Sequence, residues 1–155
     1  MHILLATDAD WIVDEVTAAL GGPDTTFTVC RDGRAVARVV GDRRPDLVVA
    51  DLQVGSMGAM AISLGLRNDE SAGLLPRVPI MLLLDRAADV YLAQRSLADA
   101  WLVKPLDALR LKRAAAAAVD GRGLFEGIPV APAADEAGTA DDGDLEPEEE
   151  PATAG

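Results

Sequence analysis

Residues 46–56 read DLVVADLQVGS. Four apolar residues, Leu47 to Ala50, run without polar alternation and stop at a carboxylate, Asp51. A strand that is apolar on both sides is buried on both faces, the habit of parallel sheets covered by helices. An acid at the carboxyl end of such a strand is not core material, because an unpaired charge is costly to bury. The strand therefore carries Asp51 toward a boundary where charge has a use.

The same pattern recurs along the chain. ILLA (3–6), FTVC (27–30), VPIMLLL (78–84) and AWLV (100–103) read as four further strands. Between them lie segments with helical spacing. Residues 11–20 place Ile12, Val16, Ala19 and Leu20 on one face, and Gly21, Gly22 and Pro23 stop that helix. Residues 33–40 do the same with Ala35, Val36, Val39 and Val40. A weaker stripe in 57–67 runs through Met60, Ala61, Leu64 and Leu66, and 87–97 aligns Val90, Ala93 and Leu97. Residues 107–119, DALRLKRAAAAAV, have high helix propensity and an acid at the positive end. Strand and helix thus alternate five times. The expected fold class is α/β: a doubly wound, five-stranded parallel sheet of flavodoxin-like order 2-1-3-4-5.

The chain has 155 residues and a formal net charge of −12. Nine of the acids and no bases fall in residues 131–155, leaving three excess negative charges on the rest. The sequence therefore divides into a nearly balanced domain, 1–122, and an acidic, Ala- and Pro-rich tail, 123–155, expected to be disordered. Neither part has the basic face that DNA binding requires. The lone cysteine, Cys30, excludes an intrachain disulfide and reads as a small buried residue. The opening MHILLATDAD lacks the basic start of a signal peptide, and no apolar run approaches the about 18 residues of a membrane span. A cytoplasmic protein is expected.

In an open parallel sheet, ligands bind beyond the carboxyl ends of the strands, where the strand order reverses. The first strand delivers Thr7-Asp8-Ala9-Asp10 there, the third Asp51, the fourth Leu84-Asp85 and the fifth Lys104-Pro105. Converging carboxylates repel, and a hard divalent cation such as Mg²⁺ relieves that repulsion. A nearby lysine neutralises phosphate charge. Together these parts suit phosphoryl transfer onto a carboxylate. Taken singly, Asp8 and Asp10 could cap a helix, Asp51 could open a turn, and Lys104 could be an exposed loop residue.

ILLATD, RPDLVVADL, VPIML and LVKP, in that order and spacing, resemble the receiver domain of bacterial two-component response regulators over roughly residues 2–120. The resemblance implies that Asp51 is the phosphoacceptor, served by a sensor histidine kinase or a phosphotransfer protein. It implies Mg²⁺ held by Asp8, Asp51 and the backbone carbonyl of Gln53, and Lys104 in contact with the phosphoryl group before a cis Pro105. It implies a signalling protein rather than an enzyme, with self-dephosphorylation at most. Output would pass through the face of the fourth helix, fifth strand and fifth helix, and a homodimer is compatible with it. About 35 residues follow the fifth helix, too few for a DNA-binding domain, so a stand-alone receiver is expected.

Departures from the family pattern are equally specific. Thr7 stands where a first acid is usual, and Gly55-Ser56 replaces Pro-Gly. Leu84 stands in place of the switch Thr or Ser, so no hydroxyl can bond the phosphoryl group. Asp85 would repel a phosphoryl group if it faced inward. Trp101 occupies the place of the smaller switch aromatic and is expected either fixed in position or simply packed at the sheet edge. Trp11 is expected at the rim of the pocket. The alternative is a degenerate pseudo-receiver, a protein-binding module independent of phosphorylation. A flavodoxin-like cofactor binder fits the fold but not the acid-bearing first loop.

Overall fold

The structure, a computed structural model, describes residues 1–127. The expectation of a disordered tail falls, from residue 128 onward, outside the described residues. Five strands, β1 (His2–Ala6), β2 (Thr26–Cys30), β3 (Leu47–Asp51), β4 (Ile80–Leu84) and β5 (Ala100–Val103), pair in parallel. Their order is β2-β1-β3-β4-β5, as the alternation of elements implied. A sixth strand, β6 (Leu124–Phe125), extends the sheet beyond β5, with Ala100 opposite Leu124 and Trp101 opposite Phe125. The sequence reading had placed these two residues in the tail.

Among the described residues, five helices cover the sheet: α1 (Asp10–Leu20), α2 (Val36–Arg43), α3 (Ala59–Ser71), α4 (Val90–Ala93) and α5 (Ala108–Val119). Alternate residues of each strand feed opposite faces. Ile3, Leu5, Leu47, Val49, Met81, Leu83 and Leu102 pack with Ile12 and Val16 of α1 and Leu111 and Ala114 of α5. Leu4, Ala6, Val48, Ala50, Ile80, Leu82 and Leu84 pack with residues of α2, α3 and α4 on the other face. The alanine run of α5 lets that helix lie close to the sheet, since Ala114, Ala115, Ala117 and Ala118 are all buried.

Two helices differ from the sequence reading. The buried face of α3 is Ala59, Ile62, Ser63, Leu66 and Arg67, while Leu64 is exposed. Two polar side chains on that face are satisfied mainly from outside the helix. Ser63 donates to the Ser96 carbonyl, and Arg67 donates to Glu70, Asp99 and the carbonyls of Val78 and Leu97. The fourth helix is short, a 3-10 turn (Ala87–Asp89) leading into the four residues of α4. Beyond it the Ser96 hydroxyl donates to Ala93 O and accepts from Ala98 N–H, local bonds that replace the helical ladder. Leu97 then turns into a positive φ and is exposed.

Candidate functional site

The carboxyl ends of β1, β3, β4 and β5 bring Thr7, Asp51, Asp85 and Lys104 into one cluster. Asp51 is the last residue of β3 and is 1% exposed. Its Oδ1 accepts a hydrogen bond from Lys104 Nζ at 2.6 Å, and its Oδ2 accepts one from the buried Thr7 hydroxyl at 2.8 Å. The Gln53 backbone N–H adds a long contact to Oδ1 at 3.4 Å. Each part follows from local structure. The strand ends aim the side chains, and Thr7 also accepts from Ala9 N–H, which ties the turn into α1. The Lys104–Pro105 peptide bond is cis.

Lys104 is shared. Its Nζ lies 2.6 Å from Asp85 Oδ1 as well as from Asp51. The other Asp85 oxygen accepts from the Gln53 side-chain amide at 2.7 Å. Asp85 therefore faces inward, but as the partner of a cation. Burial works to raise its pKa, and the Lys104 and Gln53 hydrogen bonds outweigh burial and hold it below the ordinary carboxylate value. Burial works to lower the pKa of Lys104, and its bonds to Asp51 and Asp85 outweigh it in the same way and raise the pKa. The Lys104 ammonium also lies 5.6 Å from the centroid of the half-exposed Trp11 ring, so Trp11 stands at the rim.

Asp8 is exposed and turns toward the loop after β3; a Cβ on Gly55 would sit 3.2 Å from its Oδ2. Asp10 is engaged elsewhere, in an ion pair with Arg31 at 2.6 Å. Among the described residues, no three acidic, histidine or cysteine side chains form a ready metal cluster. Asp8, Asp51 and the Gln53 carbonyl, expected from the sequence to hold Mg²⁺, are all oxygen donors, but both Asp51 oxygens are engaged by Lys104 and Thr7 and Asp8 turns toward Gly55. Two carboxylates, a carbonyl and several waters are what Mg²⁺ accepts.

The two expected switch positions are both buried. Leu84 is 0% exposed and packs in the face covered by α2, α3 and α4, together with Val54, Ala59 and Val90. Trp101 is 4% exposed, so it is packed at the sheet edge. Its indole N–H donates to Glu126 O at 2.9 Å, and its ring meets Phe125 at 4.6 Å between centroids. The Glu126 carboxylate accepts from Val103 N–H and from Arg110, which in turn donates to Val103 O. Residues 124–126 thus clasp the edge of β5 over Trp101. The sequence gives no sign of a role for Glu126 or Phe125; it puts Thr7 and Asp85 at the crevice end of their strands but marks them as departures from the family pattern.

No protein-family model matches the sequence. The DNA-binding response regulators MtrA of Mycobacterium tuberculosis and Mycobacterium leprae are 31% identical to it over 106 residues, 67% of this chain and 44% of theirs. The match thus spans less than half the length of these relatives. The receiver domain of a signal transduction histidine kinase from Syntrophus aciditrophicus superposes with a TM-score of 0.68 at 23% identity, covering 84% of this chain and 98% of that one. The receiver domain of the sensor histidine kinase PA1611 of Pseudomonas aeruginosa, solved with magnesium in its active-site cleft, gives a TM-score of 0.63 at 22% identity, covering 77% and 97%. Sheet order, helix placement and these likenesses agree: the chain has the receiver-domain fold of two-component response regulators.

Proposed function

We propose that this chain is an atypical receiver that accepts a phosphoryl group on Asp51 from a phosphohistidine of a sensor kinase or phosphotransfer protein, in the cytoplasm, and signals through protein contacts. The observation that carries the reading is a buried carboxylate at the switch-point crevice with a lysine ammonium 2.6 Å from one oxygen. In the transfer, the donor's N–P bond breaks as a P–O bond forms to Asp51, and the imidazole leaves with the electron pair of the broken bond. Thr7 holds the carboxylate in place through Oδ2, and Lys104 offers charge to the transferred oxygens. Asp8, Asp51 and the Gln53 carbonyl would hold Mg²⁺. When bound, this ion neutralises charge on the phosphoryl oxygens.

Incubation with Mg²⁺ and acetyl phosphate, phosphoramidate or a phosphorylated histidine protein should add one phosphoryl mass, and Asp51→Ala should abolish it. No added mass across these donors, or equal labelling of Asp51→Ala, defeats the reading. The buried Leu84, which supplies no hydroxyl, and the prior pairing of Lys104 with Asp85 favour a second reading, a phosphorylation-independent binding module.

A further inference from the structure

Asp85 is out of place as a surface acid. Only about a quarter of its side chain is exposed, one oxygen is held by Lys104 and the other by the Gln53 amide. Lys104 has a single ammonium and two carboxylates at the same distance, 2.6 Å. A phosphoryl group on Asp51 adds oxygens that carry more charge than Asp85 and that need the same ammonium. Both cannot face Lys104 at full strength, because like charges this close repel. The Gln53 side chain fixes the Asp85 carboxylate in its inward position, so the competitor is held in place by a second bond.

Resting on the reading of Asp51 as phosphoacceptor, we propose that Asp85 is an internal competitor for the phosphoryl place. It holds the Lys104 ammonium until an incoming phosphoryl group displaces it, and so weakens phosphoryl binding and slows transfer. Asp85 is a positioning residue here. It gains and loses no proton and forms no bond to phosphorus. It sets a threshold that a weak donor fails to cross and a well-docked phosphohistidine protein crosses with its binding energy.

The test uses the full chain with Mg²⁺ and beryllofluoride, a phosphoryl mimic that requires no transfer chemistry. The bound fluorine NMR signal should show an affinity about tenfold higher for Asp85→Ala than for the natural chain, the scale of one charge-assisted hydrogen bond. Asp85→Asn keeps the shape and an acceptor for Gln53 but removes the charge, so it should tighten binding to a similar degree. Labelling of both variants by acetyl phosphate should accelerate in parallel. Equal or weaker beryllofluoride binding by Asp85→Ala overturns the proposal. Tightening by Ala without tightening by Asn also overturns it, because packing rather than charge would then be responsible. Absence of beryllofluoride binding in all three proteins overturns it as well. Tightened binding without any labelling supports the competitor and defeats the phosphoacceptor reading alone.

Discussion

Replacing Lys104 by Met removes the cation that Asp51 and Asp85 share. Asp51 is 1% exposed, and the Lys104 side chain is 13% exposed, so water screens the pair only weakly. At 2.6 Å the Coulomb attraction is about 6 kcal/mol for an effective dielectric of about 20. Desolvation of both ions offsets much of that, which leaves a coupling of about 2–3 kcal/mol. The single variant Lys104→Met is expected to lose about 3–5 kcal/mol, because it leaves Asp51 charged and buried. Adding Asp51→Asn removes the stranded charge and should return most of the loss. Urea unfolding of the four proteins, followed by circular dichroism at neutral pH, closes the cycle, with an unchanged slope showing that only stability has moved. Raising salt should alter the coupling little, since the pair lies away from bulk ions. A coupling below about 0.5 kcal/mol would mean that Lys104 does not hold Asp51 in the resting protein, and the account of the site would fall with it.

Thr7→Val takes the donor from Asp51 Oδ2 and the acceptor from Ala9 N–H; it should cost about 1–3 kcal/mol by urea unfolding, and a neutral result would sever Thr7 from the site. Leu84→Thr places a hydroxyl where a fully buried side chain now packs; a loss of about 2–3 kcal/mol is expected, and a stabilised variant would show that Leu84 is not core. The Glu126 carboxyl is pushed upward by burial, but its bonds to Arg110 and Val103 N–H outweigh this and lower its pKa. Its contribution is therefore full above the unfolded glutamate value of about 4.3 and fades as pH falls through the lowered folded value. The stability gap between the natural chain and Glu126→Gln should be widest near neutrality and close in acid; a gap that widens on acidification contradicts that assignment.

Much of this architecture was legible in the residues themselves. Non-alternating strands such as LVVA and IMLLL announced a sheet covered on both faces, and the acids and lysine at their ends located the crevice. Three features were not legible, each for a physical reason. The buried stripe of α3 contains Ser63 and Arg67, whose partners lie across the fold, so its apolar pattern was broken and Leu64 was wrongly placed inside. Asp85 has a local sequence equally suited to an exposed turn; only the convergence of Lys104 and Gln53 turns it inward. Leu124 and Phe125 form too short a run to read as a strand, and they pair because Trp101 offers a ring and an indole N–H at the edge of β5.

The clasp of residues 124–126 also has a consequence for how other chains can meet this sheet. An open strand edge is a template for pairing with a foreign strand. Here Ala100 and Trp101 are already paired with β6, the Val103 N–H is taken by the Glu126 carboxylate, and the Val103 carbonyl by Arg110. The backbone of β5 is thus spent along its length, and side chains finish what two strand residues begin. A partner that recognises its target by strand addition would have to strip Phe125 and Glu126 away first, or go to the opposite border, where among the described residues β2 (Thr26–Cys30) pairs on one side only.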